Sequence, residues 1–334
     1  MTSTSPEILP PTHKYALLAL ALGVDESVPS LLDLGRGLHA SRALTLSVPG
    51  HWKEWLGSLA WDELHEATLF LWATAPTNSP DLLDAENSTL QTRVFMLYYG
   101  LMLAAPRIAT TGRGMLLTGA RGDEADVRQH GWVDALLRSQ GVFWDPVRRN
   151  ELEEAVVLGN ALQAIQNLQP FRRLRAAVTC FYAGLQADDP AERIHEFVRT
   201  VEGCILPARG RTEAQFLSRT GLFVGPREQE WARSLFNVRS AVEHLNDRLE
   251  SAAMPVRQDA ILEVLRLAHE SQALARYCLR RIFLDSSLRE HFRDDRTLGA
   301  FWSLPETERR QQWGESLNLA TVRAEFDTEL VHME

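Results

Sequence analysis

The chain is poor in lysine: of its 35 Lys and Arg residues only two, Lys14 and Lys53, are lysines, and the net charge is −9. An acidic chain has no global field to attract nucleic acid, so any polyanion contact must come from a local basic rim. Cysteine is also scarce. Cys180, Cys204 and Cys278 are scattered, odd in number and without CxxC spacing, which excludes a disulfide framework and a cysteine-ligated zinc site. Cys204 and Cys278 lie among apolar residues at helical spacing, as reduced core thiols do. No apolar run is long enough to span a bilayer, the stretch from Tyr15 to Val24 being far too short. No charged-then-apolar leader opens the chain, so the expectation is a cytoplasmic protein without a membrane. Asp62, Glu63, His65 and Glu66 crowd together, but they do not form HExxH and no second histidine follows one turn on. They read as a solvated helix face, and neither metal nor cofactor is expected. No Ser-His-Asp order or Cys-His nucleophile stands out.

What is present is ordinary globular material: 334 residues, 45% hydrophobic and 24% charged, enough for two domains. The expected fold is mainly α, a mixed α/β N-terminal region followed by an all-α bundle. Residues 1–12, rich in Ser, Thr and Pro, read as disordered, and 13–148 as the mixed region. Within it, Arg42 to Val48 alternates and ends in Pro-Gly, which predicts a strand. His51 to Leu59 reads as a short amphipathic segment, Ala67 to Pro76 as a buried strand, and Thr89 to Ala104 as an apolar-rich helix. The glycine-rich stretch Gly112 to Gly122 lacks the Lys-Ser/Thr of a phosphate loop and is followed by acids, so it reads as loop-and-strand punctuation.

From 149 to 285 the pattern is helical. Helices are predicted at Arg149–Gln166 and Phe171–Gln186. A third has Asp189 as N-cap, Pro190 at its first position and Glu192 three residues after the cap, with Ile194, Phe197, Val201 and Ile205 facing inward. A fourth has Thr212 as N-cap, a fifth covers Trp231 to Arg248, and a long one runs from about 256 to 284. The long helix carries a stripe of Ile261, Leu265, Ala268, Ala275, Leu279 and Ile282 interrupted by Gln272, which suits a core or a dimer seam. Residues 286–334 read as a peripheral helical tail.

Chemistry concentrates in the fifth helix. Ser240 and His244 are one turn apart, as are Arg239 and Glu243, so each pair can meet on the surface. Arg239 and His244 are about 140° apart around a helix, on a shared rim. A fixed cation, a hydroxyl and a titratable imidazole along one edge suit phosphodiester cleavage: the guanidinium fork holds phosphate and the imidazole moves a proton near neutral pH. Arginine is so abundant here that the Arg-to-His spacing alone carries no information.

The context adds to it. Leu235-Phe-Asn-Val-Arg239-Ser240-Ala-Val-Glu-His244 resembles the Arg-Ser-x-x-x-His signature of the ApeA-like branch of the HEPN superfamily. Arg193 to Glu202 resembles the preceding glutamate-bearing helix of that branch, and Thr212 to Val224 is similar to its next helix, with Arg219 in the matching place. The resemblance covers roughly residues 170–285. It implies a HEPN-like helical bundle and a metal-independent endoribonuclease, active as a homodimer through the helical domain and acting in bacterial anti-phage defence or as a toxin. It assigns catalysis to Arg239, His244 and Ser240 and substrate contact to Asn237, Glu243 and Asn246. Glu202 and Arg219 are given a structural role as an interhelical ion pair. Arg172, Arg173, Arg175, Arg209 and Arg211 are candidate RNA-backbone contacts. The RNA partner and any regulatory protein or phage trigger are not specified by the sequence. The competing expectation is a catalytically inactive HEPN-like module that binds RNA, a nucleotide or a protein, because Glu243 can neutralise Arg239 and the chain is acidic.

Overall fold

The computed structural model describes residues 8–77, 85–105, 113–133, 145–166, 169–208, 210–244 and 258–331. The chain divides into two compact units, Met1–Gln163 and Ala164–Glu334. It is mainly helical, with a small antiparallel sheet in the first unit.

That sheet contains β1 (His13–Leu20), β2 (Leu31–Gly35), β3 (Leu38–Ser41), β4 (Leu69–Pro76), β5 (Gly114–Arg121) and β6 (Gln129–Val133), in the order β2-β3-β4-β1-β5-β6. Central β1 is antiparallel to both neighbours, Leu17 facing Trp72 of β4 and Leu117 of β5. On one face Tyr15, Leu17, Phe70, Trp72, Met115 and Leu117 pack with Leu46, Val48, Leu56 and Leu64. The last two of these come from α1 (Gly50–Leu56) and α2 (Ser58–Glu66). The opposite face takes α3 (Ala85–Ala104), whose Asn87 donates to Gly119 O and whose Glu86 pairs with Lys14 at 2.8 Å. Burial of both faces explains why β1 and β4 read as continuous apolar runs rather than alternations.

Four expectations for this unit change. The alternation at 42–48 is real, since Leu46 and Val48 are buried and Leu44 packs against their cluster, but the segment has no ladder partners among the described residues and the strand is β3, just before it. The glycine-rich stretch becomes the buried strand β5. Gly119 is required there, because a Cβ would lie 2.2 Å from Asp126 O. Ile8 and Leu9, inside the segment expected to be disordered, are core residues at 4% exposure, while residues 1–7 lie outside the described ones. Finally, α4 (Arg149–Ile165), expected to open the helical domain, packs on α3, where Gly100 allows the backbones to meet: a Cβ at Gly100 would sit 2.1 Å from Ala155 O.

The second unit contains α5 (Arg172–Gln186), α6 (Pro190–Ile205), α7 (Thr212–Val224), α8 (Gln229–Glu243) and α9 (Gln258–Leu284). They are followed by α10 (Ser286–Glu290), α11 (Asp295–Ser303), α12 (Glu306–Trp313) and α13 (Leu319–Val331). The start of α6 is as expected: Asp189 accepts from the N–H groups of Ala191 and Glu192, with Pro190 next. Ile194, Phe197, Val201 and Ile205 are all buried, and α6 packs against α5, α7, α8 and α9. Thr212 is the first residue of α7 rather than its cap; Arg211 stands at the N-cap with no side-chain bond. Gln272, which breaks the α9 stripe, accepts from Arg193 Nη2 at 2.7 Å, so a polar contact with α6 occupies that place. Ile261, at the start of the stripe, is exposed. The C-terminal helices are core rather than a peripheral tail: Phe301, Trp302 and Trp313 are buried, and Trp313 packs 4.5 Å from Phe223. Among the described residues no helix is long and apolar enough to cross a membrane.

Candidate functional site

Arg239 lies on α8 and its guanidinium reaches α6. Nη2 is 3.2 Å from Glu202 Oε2, with both side chains largely withdrawn from water, at 14% and 12% exposure. Nη1 pairs with Glu243 one turn on along α8, and Glu243 is 44% exposed. The guanidinium carbon stands 5.7 Å from the centre of the Phe236 ring, which packs in turn 5.7 Å from Phe216 of α7. The apolar and acidic neighbours fix the long side chain in one pose. Two polar atoms in this cluster, Glu202 Oε1 and Arg239 Nε, are buried without a hydrogen-bond partner among the described residues. Such orphans mark a place for water or ligand.

The expected partner of Glu202 was Arg219, and the structure places that arginine elsewhere. Arg219 Nη1 donates to the carbonyls of Leu206, at 2.9 Å, and Ile205. Those oxygens end α6, where Leu206 takes a left-handed conformation, and a cation at a helix C-terminus satisfies carbonyls that have no intrahelical donor. Glu202, left without Arg219, pairs with Arg239.

α8 also ends earlier than its sequence suggests. Its last helical residue is Glu243, and His244 follows as an exposed C-cap whose N–H donates to Ser240 O. Ser240 is half-buried and Asn237 exposed, so Asn237, Ser240, Glu243 and His244 line one accessible end of α8. Asn246, Leu245 and Arg248 lie outside the described residues. One neighbour was not foreseen. His195 of α6 places Nδ1 3.3 Å from Arg239 O and Nε2 3.7 Å from Glu196 Oε1. Its position seven residues before Glu202, two helical turns along the same face, was the available signal.

Cysteine chemistry is not offered here. Cys180 on α5 is half-buried and its thiol is pushed up to about 11, chiefly by burial; burial likewise raises Cys204 to about 12. Thiols held protonated in this way are poor nucleophiles. Of the candidate RNA-contacting arginines, Arg173 is paired with Asp295 at 2.7 Å and Arg175 donates to Ile165 O, while Arg209 lies outside the described residues. Arg211 remains exposed beside α7.

In the first unit, His65 Nδ1 lies 2.7 Å from Trp61 O and its ring packs, tilted, with its centre 4.4 Å from that of the Trp61 ring. Among the described residues no group of three or more His, Cys, Asp or Glu side chains is arranged to hold a metal. His65 and Trp61 instead line a cavity of about 410 Å³ with Leu46, Val48, Lys53 and Phe70.

Comparison with protein-family models, curated proteins and solved structures returned no significant match. The reading of the α6–α8 surface therefore rests on its own geometry and on the residues that resemble the HEPN signature.

Proposed function

We propose that the α6–α8 surface is the active site of a metal-independent, HEPN-type endoribonuclease within a HEPN-like bundle. The observation that carries the reading is one arrangement: Arg239 held from behind by Glu202 at 3.2 Å, its Nε without a partner among the described residues, with the exposed His244 five residues on at the C-terminal end of the same helix. Arg239 is positioned to hold the scissile phosphate and stabilise the charge that builds on it in the transition state. His244 moves a proton, as base toward the ribose 2′-hydroxyl or acid toward the leaving oxygen. Ser240 and Asn237 supply neutral hydrogen bonds to phosphate or base. A 2′-hydroxyl nucleophile selects RNA over DNA and leaves a cyclic phosphate. The family resemblance adds a homodimer, with two such sets facing one strand, and a role in defence or as a toxin.

The second reading, a module that binds RNA, a nucleotide or a protein without cleaving it, is favoured by Glu243 on the Arg239 guanidinium. Magnitudes bear on whether Glu243 blocks an incoming phosphate. Glu243 is the exposed partner of its pair, and an i,i+4 pair of that kind is worth roughly 0.3–0.5 kcal/mol, whereas a hydrogen bond to a charged group contributes about 1.5–3 kcal/mol. An incoming phosphate therefore displaces Glu243 and leaves Glu202 in place.

The test is incubation of the full chain with mixed cellular RNA in EDTA, wild type beside His244→Ala and Arg239→Ala. Cleavage by wild type alone, with cyclic-phosphate ends, supports the enzyme. RNA binding without cleavage, unchanged in His244→Ala, establishes the module. Equal cleavage by all three assigns the activity to something other than this site.

A further inference from the structure

The second unit holds a cavity of about 380 Å³, lined among others by Ser218, Arg219, Gln229, Trp302, Arg309 and Arg310 and by none of the residues of the Arg239 cluster. Two of its guanidiniums are anchored in the same way. Arg219 Nη1 donates to the last carbonyls of α6, and Arg309 Nη1 donates to Trp302 O at 2.7 Å and Leu304 O at 2.8 Å, the end of α11. Both stand over the Trp302 ring, 5.0 and 5.7 Å from its centre. Trp302 is itself fixed, its Nε1 donating to Cys204 O at 3.1 Å.

Among the described residues neither Arg219 nor Arg309 has a carboxylate partner. The acid on the cavity wall, Glu306, is taken by Arg310 at 2.8 Å. The lining therefore carries two uncompensated positive charges in a chain whose net charge is −9. Burial is the main cause that lowers the Arg219 pKa, and the neighbouring Arg309 charge lowers it further. Helix capping accounts for one nitrogen of each fork and leaves the remaining donors over. It does not explain why two capping arginines share one aromatic ring without an acid between them.

We propose that this cavity binds a small phosphorylated ligand, its phosphate dianion bridging Arg219 and Arg309 against the Trp302 ring, with Ser218 and Gln229 as neutral partners. A phosphate accepts from guanidinium forks bidentately and removes the repulsion between them. The volume lies within the range of small-molecule sites and exceeds what an inorganic phosphate fills, so a phosphomonoester is favoured over the free ion. The site is independent of the ribonuclease reading, since it shares no residue with the Arg239 cluster.

The test is calorimetric titration and thermal unfolding of the full chain with inorganic phosphate and with ribose 5-phosphate, against chloride at matched ionic strength. Saturable binding and a rise in Tm are expected, tighter for ribose 5-phosphate. Arg219→Gln and Arg309→Gln remove the charge and the reach to the helix-end carbonyls, and each should weaken binding by at least roughly tenfold. Ser218→Glu leaves both caps intact and places a carboxylate at the cavity; it should abolish binding and raise the ligand-free Tm. A linear, non-saturating response, or affinity unchanged in Ser218→Glu, overturns the proposal. Should the arginine variants fail to fold, Ser218→Glu decides alone.

Discussion

Glu202 of α6 and Arg239 of α8 form an ion pair at 3.2 Å with both side chains nearly out of solvent. The pair ties together the two helices that carry the candidate chemistry. It also fixes the face that Arg239 presents, because Glu243 holds the other side of the same guanidinium.

Removing one partner of this pair strands a charge in a poorly hydrated place. Glu202→Ala and Arg239→Ala should each lower stability by about 2–4 kcal/mol. The double variant should lose less than the sum of the two. Urea unfolding of all four proteins measures the coupling, and strict additivity would show that the pair does not act as a unit.

Glu243 should behave differently, because it is exposed. Glu243→Gln is expected to cost no more than about 0.5 kcal/mol in stability. It should tighten RNA binding and, under the ribonuclease reading, speed cleavage, since Nη1 of Arg239 is released. A slower or weaker variant would make Glu243 a substrate contact rather than a competitor.

In the first unit, Gly119 sits where β5 meets Asp126, 2.2 Å from where a Cβ would be. Gly119→Ala should destabilise the sheet by about 1–3 kcal/mol through forced backbone displacement. Gly131, on β6 with open space around its Cβ position, should accept alanine at far smaller cost; hydrogen exchange of β1 and β5 amides reads both.

Glu270 on α9 is buried and bonded to Arg323 at 3.2 Å, and burial is the main cause that raises its pKa above 4.5. The folded state therefore holds this proton to higher pH than the unfolded one does. The resulting contribution to stability is full below the unfolded value and is lost as pH rises through the folded one. Glu270→Gln, which cannot titrate, should flatten the stability profile just above pH 4.5. An identical profile in wild type and variant would remove Glu270 as the source.

Local signals made part of this legible. Asp189-Pro-Ala-Glu192 predicts the start of α6 because an N-cap acceptor and a proline act within one turn, and the same helix's apolar spacing predicts its buried face. The candidate residues on α8 were legible as a pattern. The partner of Glu202 was not, since Arg219 and Arg239 are equally plausible in sequence and only the free carbonyls at the end of α6 decide which one is taken. β5 looked like punctuation because its glycines serve close backbone approach rather than turns. The residues at 42–48 alternate because they line a core, which packing allows without a ladder.

The sequence by itself determined the helical character of the second unit, the N-cap of α6 and the juxtaposition of Arg239, Ser240 and Glu243, all matters of spacing within a few residues. Tertiary structure decided the rest. It paired Arg239 with Glu202, and it sent Arg219 to a helix end and to the ring of Trp302, 83 positions along the chain, where Arg309 also stands. Competition among many arginines for a few acids and orphan carbonyls is settled by distance and burial, and neither exists until the helices have packed.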